Sequence, residues 1–441
     1  MIATSLWELQ RHLEALERYA AAKGLQVNTN KSHVVVFNSR GESAGRWRPT
    51  YQGEPLALKP EFKYLGITLD RNCSMLIASQ RWAGALSAAT QDLYKRAKEL
   101  GVQRKVLAML VLHQAYATPS AMYGCQVWGS RFLDWGRPFE SPVERRRMAF
   151  LRRQLGLRPG VERHVLLREA GAKPLLFYWA RSIFRLYSKL RDESRVGASP
   201  LMAAVLGSDL VLAGWGAQGA GSWAAEVASA LRALEPSWAD TFLAGEPIDV
   251  PQVVRAVSRK LFEVPWCPPD VSSKRARYLQ VCGEAKPGEA VRQPKYVWME
   301  GISRHEVRQL ARLRTSCHNL ALERGAWRRA RGDQEVDELP RSHRVCTRCS
   351  SQWCDWRDAM GPRGWRGELG AGGRPIDDEF HLLFECEATS ALRLGTQRLW
   401  EGNWSAADAV KRVMGEMGSR LELARFAAAC MDVADAAAGD N

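Results

Sequence analysis

Residues 5–37 read SLWELQRHLEALERYAAAKGLQVNTNKSHVVVF, and this stretch contains the signals of one helix followed by one strand. Ser5 and Glu8 have the spacing of a capping box, in which a hydroxyl and a carboxylate satisfy free N–H groups at a helix start. Apolar residues recur three and four positions apart along this helix, at Leu6, Leu9, Leu13, Leu16 and Ala20. One helix face is therefore expected to be buried, with Gly24 ending the helix and residues 34–37 forming the strand.

A second strand is predicted at residues 62–69, FKYLGITL, beyond a polar NSRG turn. Gly66 lies within it, at a position where another backbone segment can approach closely. One helix and two strands do not bury enough surface to fold independently. Residues 1–72 are therefore predicted to be a small α+β segment that needs a partner.

The rest of the chain has mainly helical patterns. From Gln80 onward the apolar residues follow the 3.6-residue period of a helix, and a second apolar helix is predicted over residues 106–116. Residues 196–250 are rich in Ala, Gly and Ser, contain one Arg against six acids, and are interpreted as a boundary region with some helix. The predicted fold class is mainly α with a small α+β segment at the N-terminus.

The charge balance favours a polyanionic partner. Sixty-three Lys and Arg face 48 Asp and Glu, which gives a net charge of +15 and a pI near 9.5, as in many nucleic-acid-binding chains. The N-terminus lacks the pattern of a secretion signal, and no stretch has the length and apolar character of a membrane span. We therefore expect a chain that is not secreted and does not contact a membrane, located in the cytoplasm or the nucleus.

Basic residues cluster in two regions, and residues 143–195 alone contain 14 Lys or Arg against 5 Asp or Glu. Rows of basic residues four positions apart lie on one helix face, where they can neutralise phosphates and release counterions. The alternative is a solvated helix face without a partner. The candidate nucleic-acid contacts are Arg145, Arg146, Arg152, Arg153, Arg181, Arg185, Lys189, Arg304, Arg308, Arg312 and Arg314.

Two close pairs of metal-ligating residues, Cys346 with Cys349 and His381 with Cys386, have the inner spacings of a tetrahedral zinc site. The 31 residues between the pairs are Gly-rich and can loop out without disturbing the ligands. Cys354 can replace one ligand, and the alternative to a metal is free thiols with a capping histidine. Residues 377–378, the Asp-Asp pair of the chain, follow no apolar strand and are interpreted as structural or solvated rather than as a two-metal site.

Taken in order, several segments resemble the C-terminal part of a LINE-type (non-LTR) retrotransposon reverse transcriptase. Residues 9–37 resemble the palm helix and strand that follow the family's catalytic Asp-Asp strand, and FKYLGITLD resembles its primer grip. The helical thumb of the family is resembled by ALSAATQDLYKRAKELGV and MYGCQVWG. The basic region beyond the thumb is resembled by FLRRQLGLRPGVERHVLLREAGAKPLLFYWA. The C-terminal end of the family is resembled by RLRTSCHNLALERGAW together with the Cys-Cys-His-Cys knuckle.

The resemblance implies roles for particular residues. Lys31 matches an auxiliary lysine that assists pyrophosphate departure, and Phe62, Tyr64, Leu65 and Gly66 match the primer grip. The chain would begin after the catalytic aspartates, which hold two Mg²⁺ in a full-length parent enzyme. The implied partners are RNA and an RNA–DNA or DNA primer–template, and a missing palm or fingers segment acting in trans.

The resemblance and the composition together divide the chain. The resemblance implies a palm remnant (1–72), a helical thumb (73–140), a basic helical region (141–195) and a basic helix with a zinc knuckle (296–390). The segments that it does not cover are interpreted as an Ala/Gly-rich connector (196–295) and a helical tail (391–441). The expected function is that of a truncated RNA-directed DNA polymerase, inactive alone, that binds RNA or primer–template. The alternatives are a stand-alone zinc-containing nucleic-acid-binding protein derived from a retroelement, and a non-functional relic.

Overall fold

The computed structural model describes residues 1–37, 48–64, 66–72, 75–195, 200–215, 221–262, 278–279, 282, 294–320, 340–349, 368–396, 406–416 and 420–439. The chain forms two compact units, residues 1–85 and 86–441. The described part is mainly helical, and its small two-stranded sheets lie within the first 70 residues. The predicted fold class is confirmed.

The strands are β1 (His33–Val34), β2 (Thr50–Tyr51), β3 (Glu54–Pro55), β4 (Ala57–Leu58), β5 (Glu61–Tyr64) and β6 (Ile67–Asp70). The first helices are α1 (Leu6–Lys23), α2 (Met75–Glu99), α3 (Val106–Leu112), α4 (Cys125–Trp128), α5 (Pro142–Leu155), α6 (Arg163–Ala170), α7 (Leu175–Arg195) and α8 (Pro200–Ala213). The others are α9 (Trp223–Arg232), α10 (Pro236–Leu243), α11 (Val250–Phe262), α12 (Arg304–Arg314), α13 (Ser390–Leu394), α14 (Ala406–Glu416) and α15 (Leu421–Gly439).

Helix α1 begins and ends as its sequence predicts. The Ser5 hydroxyl accepts a hydrogen bond from the Glu8 N–H at 3.1 Å, although the Glu8 carboxylate accepts from the Thr4 N–H and not from Ser5. Gly24 ends the helix with a φ of 63°. The predicted apolar face packs against β1, β2 and the residue before β4, around a small core of Leu13, Val34, Tyr51 and Leu56.

The two strand predictions are wrong in extent. The predicted strand at residues 34–37 is limited to β1, which pairs in parallel with β4. Residues 62–69 form no single strand, because Gly66 adopts a φ of 86° and the chain reverses into the antiparallel β5–β6 hairpin. Gly66 is therefore a turn residue, and not a close-approach site within a strand.

The second unit is built on one large hydrophobic core. Buried apolar residues from α3, α5, α6, α12, α14 and α15 belong to the same cluster. The segments expected as separate regions, 141–195, 296–390 and 391–441, therefore contribute to one core. Among the described helices, none combines the length and apolar character needed to cross a bilayer.

A buried network fixes α5 against the start of α7. The Glu144 carboxylate accepts from the Leu175 N–H, so it supplies negative charge at the positive N-terminal end of α7. Arg147 is buried beside it and donates to Glu144 at 3.3 Å and to the Lys173 carbonyl at 2.6 Å. Each buried charge thus has a partner, as burial requires.

The region interpreted as a connector is helical and packed in its described part. Helices α8, α9, α10 and α11 follow α7, and Val227, Leu231 and Phe242 are fully buried. The Tyr187 ring of α7 lies 4.6 Å from the Phe242 ring, and its hydroxyl donates to the Glu246 carbonyl at 2.7 Å. Residues 223–262 thus form packed helices, whereas α8 buries Leu206 and leaves Leu201, Val205 and Val211 exposed.

A second buried ion pair joins α6 to α12. Arg314 donates from Nε to the Glu169 carboxylate at 3.0 and 3.2 Å and from Nη1 to the Met414 carbonyl at 2.6 Å. The hydroxyls of Tyr278 and Tyr296 donate to the same carboxylate. Burial of Tyr296, followed by the nearby Glu169 charge, raises the pKa of Tyr296 well above its usual value, so it remains a neutral donor.

Substituting Arg314→Met should lower the free energy of unfolding by about 3–5 kcal/mol, because it leaves the Glu169 charge buried without its cation. Urea denaturation followed by circular dichroism measures this loss. Arg181→Met is the matched control, since Arg181 is exposed on α7, and it should change stability by less than about 0.5 kcal/mol. Equal effects of the two substitutions would contradict the assignment.

Candidate metal centre and basic groove

The first ligand pair is held by short backbone contacts. Val345 and Ile376 form an antiparallel bridge, and the Cys346 N–H donates to the Pro375 carbonyl at 2.9 Å. The loop beside the bridge is tight, because a Cβ at Gly370 would overlap the carbonyl oxygen of Ser342. These contacts place Cys346 and Cys349 beside the segment that carries the second pair.

The second pair lies on one turn of π-helix, His381–Glu385. The Cys386 N–H donates to the His381 carbonyl at 2.7 Å, which closes this wide turn. A five-residue separation thereby brings the imidazole and the thiol to the same side. The Thr389 hydroxyl donates to the Leu382 and Cys386 carbonyls and fixes the end of the turn.

The four predicted ligands form a buried cluster, with their donor atoms all within 4.8 Å of one another. The Cys386 sulfur lies 4.0 Å from that of Cys346 and 3.8 Å from that of Cys349. The Cys349 sulfur lies 3.3 Å from Nε2 of His381. A tetrahedral Zn²⁺ would separate two sulfurs by about 3.8 Å and a sulfur from a nitrogen by about 3.6 Å. The donor set therefore fits a metal ion such as zinc.

Polar groups around the cluster orient the donors. The Arg348 N–H donates to the Cys346 sulfur at 3.4 Å, and Glu385 places Oε2 3.6 Å from Nδ1 of His381, on the side away from the sulfurs. Hydrogen bonding with Cys346 lowers the pKa of Cys386 and raises that of Cys349. Without a metal the sulfurs must share protons, whereas a divalent cation would replace those protons.

The Asp-Asp pair has a structural role, as the sequence indicates. Asp377 is fully buried and forms an ion pair with Arg348, and its N–H donates to the Arg344 carbonyl at 2.9 Å. Asp378 accepts a hydrogen bond from the His381 N–H at 2.9 Å. Both carboxylates support the ligand loops and do not form a two-metal site.

A second feature of the same unit is a groove of about 1150 Å³. It lies between the turn that precedes α3, the turn Lys295–Trp298 and the first half of α12. Its cationic lining residues are Arg104, Lys105, Arg304 and Arg308. The apolar wall of the groove is the set of its apolar lining residues, which include Leu107, Val111 and Trp298. The Trp298 side chain is 58% exposed. Glu300 also lines the groove.

The positive charge of this groove exceeds the negative charge of its one acidic lining residue, Glu300. Among the described residues, none of the four cations forms an ion pair with a carboxylate. Arg308 donates to the carbonyls of Arg153 at 2.6 Å and Gln154 at 3.2 Å, and Nε of Arg304 is buried without a hydrogen-bond partner. Burial, and then the neighbouring Arg304 charge, lower the pKa of Arg308.

Beside the groove, the two predicted basic regions contact each other. Arg153 of α5 stacks its guanidinium 4.8 Å from the centre of the Tyr94 ring, and its carbonyl accepts from Arg308 of α12. Of the four cations that line the groove, sequence reasoning identified Arg304 and Arg308 but missed Arg104 and Lys105. Arg104 and Lys105 are adjacent in the sequence, which is only a weak signal of a binding site. Only the fold places them in one groove with the cations of α12.

Two other predicted contacts face protein. Arg314 is buried against Glu169, so it does not reach a surface phosphate. Arg312 pairs with Asp435 of α15 and also donates to the Cys317 carbonyl at 3.2 Å. Arg312 therefore does not share a phosphate-binding face with Arg304 and Arg308, contrary to the prediction. The prediction that Arg314 contacts nucleic acid is also wrong.

The remaining predicted contacts lie elsewhere in the second unit. Arg181, Arg185 and Lys189 are exposed along α7, whose opposite face is buried. Arg145 is exposed and paired with Glu140 at 2.7 Å. Arg146 is exposed on α5, and Arg152 borders a separate cavity. These residues do not line the groove.

The candidate residues of the first unit are exposed. Lys31 ends a short 3₁₀ turn, and its N–H donates to the Asn28 side chain at 3.1 Å. The Phe62 and Tyr64 rings lie on one side of β5, with ring centres 6.1 Å apart, and His33 contacts Phe62 edge-on at 5.2 Å. Gly66 is in the hairpin turn, and Leu65 and the alternative metal ligand Cys354 lie outside the described residues.

No known protein family, curated protein or solved structure matches this chain.

Substituting Cys386→Ser should abolish the binding of one equivalent of metal, because it removes one sulfur from a four-donor set. Elemental analysis gives the stoichiometry, and Co²⁺ substitution reports thiolate coordination through its charge-transfer absorption. Cys354→Ser is the matched control and should retain one equivalent. Loss of metal from Cys354→Ser together with retention in Cys386→Ser would assign the fourth ligand to Cys354.

Proposed function

We propose that this protein binds single-stranded RNA or the strands of a primer–template through the basic groove. The observation that carries the proposal is the set of four cations, Arg104, Lys105, Arg304 and Arg308, that line one groove with a single carboxylate, Glu300, and form no ion pair among the described residues. Uncompensated Lys and Arg along a groove attract a phosphate backbone and release its counterions. Such binding is expected to be tight at low salt and to depend little on sequence.

The apolar wall gives the groove its preference for single strands. Trp298 is exposed on the side of the groove formed by Lys295–Trp298, and an unpaired base can stack on an exposed indole. In a duplex the bases are stacked on one another and cannot reach this ring. The combination of backbone cations and one exposed aromatic ring is typical of single-strand binding.

We assign the metal at the Cys346, Cys349, His381 and Cys386 cluster as a structural Zn²⁺. All four donors are buried, and four protein ligands leave no open coordination position for substrate. The metal site is connected to the groove by contacts at the end of α12. Ser316 and His318, which follow α12, each contact Glu379 at 3.0 Å, and Glu379 lies two residues before the ligand His381. The zinc would therefore stabilise the end of the helix that carries the groove cations.

The wider assignment is to the C-terminal part of a LINE-type reverse transcriptase. Support comes from the quoted sequence segments, and from the helix, the aromatic hairpin residues and the Cys-Cys-His-Cys set that occur in the order of that family. In that family the catalytic aspartates precede the helix and strand that residues 9–37 resemble. Mg²⁺-dependent polymerisation would therefore require a full-length parent or a segment supplied in trans. The alternative is a stand-alone zinc-containing nucleic-acid-binding protein derived from a retroelement, and the core of the second unit is compatible with it.

The groove can be tested by fluorescence anisotropy of a labelled 20-nucleotide RNA at several KCl concentrations. Removing two phosphate contacts with Arg104→Gln/Lys105→Gln should reduce the slope of log K against log salt by about 1.4. Trp298→Ala should weaken binding by about 5- to 100-fold and leave that slope unchanged, because stacking releases no counterions.

The matched control is Arg181→Gln/Arg185→Gln, which removes the same charge from the exposed row of α7. This variant should keep the wild-type slope. If the α7 variant reduces the slope and the groove variant does not, then the strand binds along α7 and the groove assignment is wrong.

The purified chain should not extend an annealed primer with Mg²⁺ and deoxynucleotides, because the segment that would hold the two metal ions is not in this sequence. A primer-extension gel with a known reverse transcriptase as positive control measures this. Extension above background that is lost on adding a chelator would overturn the truncated-polymerase proposal, while the groove measurements would stand independently.

A further inference from the structure

A second cavity in the same unit, of about 570 Å³, lies between residues 136–140, α5 and the start of α6. Four arginines line it, Arg137, Arg145, Arg152 and Arg163. Its acidic lining residues are Glu140 and Glu162. The lining therefore carries two more positive than negative charges, in a cavity whose size is ordinary for a small-ligand site.

Three of the four arginines already have carboxylate partners. Glu140 accepts from both Arg145 at 2.7 Å and Arg163 at 2.9 Å, and Arg137 lies 3.2 Å from Asp134. These pairs hold two guanidinium groups in place on either side of one carboxylate. They leave most of each guanidinium's donors available, since Arg has five N–H donors and each pair uses one or two.

Arg152 is different, because its side chain forms no hydrogen bond or ion pair with any described residue. Its Nε is buried and lacks a hydrogen-bond partner. Burial, and then the neighbouring Arg163 charge, lower the pKa of Arg152. A buried, unpartnered donor costs free energy, and an anion in the cavity would satisfy it.

The aromatic and apolar lining residues of the cavity suit a flat, uncharged group. The Phe139 ring is buried, the His164 ring meets it edge-on at 4.8 Å, and Met148 and Val161 complete this side. Burial lowers the pKa of His164 to about 4, so this imidazole is neutral near pH 7 and adds no charge. The cavity lining thus combines arginines with aromatic and apolar side chains, and the Arg163 guanidinium lies 5.8 Å from the centre of the Phe139 ring.

We propose that this cavity binds the terminal phosphate of a nucleotide, with Arg152 as the principal phosphate ligand and the Phe139 side receiving the base or sugar. A terminal phosphate carries close to two negative charges and accepts paired N–H donors from guanidinium groups. A carboxylate ligand would neutralise only half of the excess charge. The phosphate can belong to a free nucleotide or to the 5′-phosphorylated end of a strand.

This inference does not depend on strand binding in the basic groove. Arg152 and Arg153 are consecutive on α5 and therefore point about 100° apart around the helix axis, one to the cavity and the other to Tyr94 beside the groove. Variants at the two positions can be tested separately. A protein without strand affinity could still bind a nucleotide here, and the reverse also holds.

The first experiment is titration calorimetry of the full chain with adenosine 5′-monophosphate and with adenosine. The monophosphate should bind and adenosine should not, and Arg152→Gln should weaken monophosphate binding at least about tenfold. Arg146→Gln is the matched control, because Arg146 is exposed on the same helix and does not line the cavity. Thermal unfolding of Arg152→Gln should match that of the wild type, which separates lost binding from lost folding.

The second experiment compares 5′-phosphorylated and 5′-hydroxyl forms of one RNA oligonucleotide. If the free nucleotide does not bind but the phosphorylated strand binds more tightly than the hydroxyl form, and Arg152→Gln removes that preference, then the ligand is a strand end. If neither experiment shows a preference for phosphate, or if Arg152→Gln and Arg146→Gln behave alike, then the proposal is wrong.

Discussion

The buried ion pair between Glu169 and Arg314 is the constraint on which the second unit depends. It joins α6 to α12, and the Met414 carbonyl adds α14 to the same contact. Two buried charges are costly to desolvate, so the pair is stable only while every donor and acceptor keeps its partner. Because the pair fixes the C-terminal end of α12, it also fixes the direction of the groove cations at the other end.

Helix α12 therefore serves several neighbours at once. Its first half presents Arg304 and Arg308 to the groove, while Gln309 donates to Asp432 and Asp435 of α15 at 2.6 and 3.1 Å. The segment after it contacts Glu379 beside the metal ligands. A basic helix that looks uniform in sequence is thus divided by the fold into a half that lines the groove and a half that packs against the rest of the unit.

This division shows where sequence reasoning succeeds. Local signals predicted α1 with both of its ends, and the inner spacings of the Cys and His pairs predicted a cluster that the fold assembles. The partners of Arg312 and Arg314 lie more than 100 residues away in sequence, and no local pattern reveals them. Residues 196–250 were interpreted as a boundary region with some helix, and the extent of helix in residues 200–262 was underestimated, because small apolar residues match boundary composition as well as helix packing.

The long separation between the ligand pairs has a consequence for variation among related chains. A bound ion closes a loop across 31 intervening residues, and the entropy of loop closure rises by only about 0.6 kcal/mol for each doubling of length. Insertions or deletions between the pairs therefore cost little, whereas a change within either pair would move a donor away from the ion. A sequence pattern for this kind of site should fix the two inner spacings and leave the distance between the pairs open.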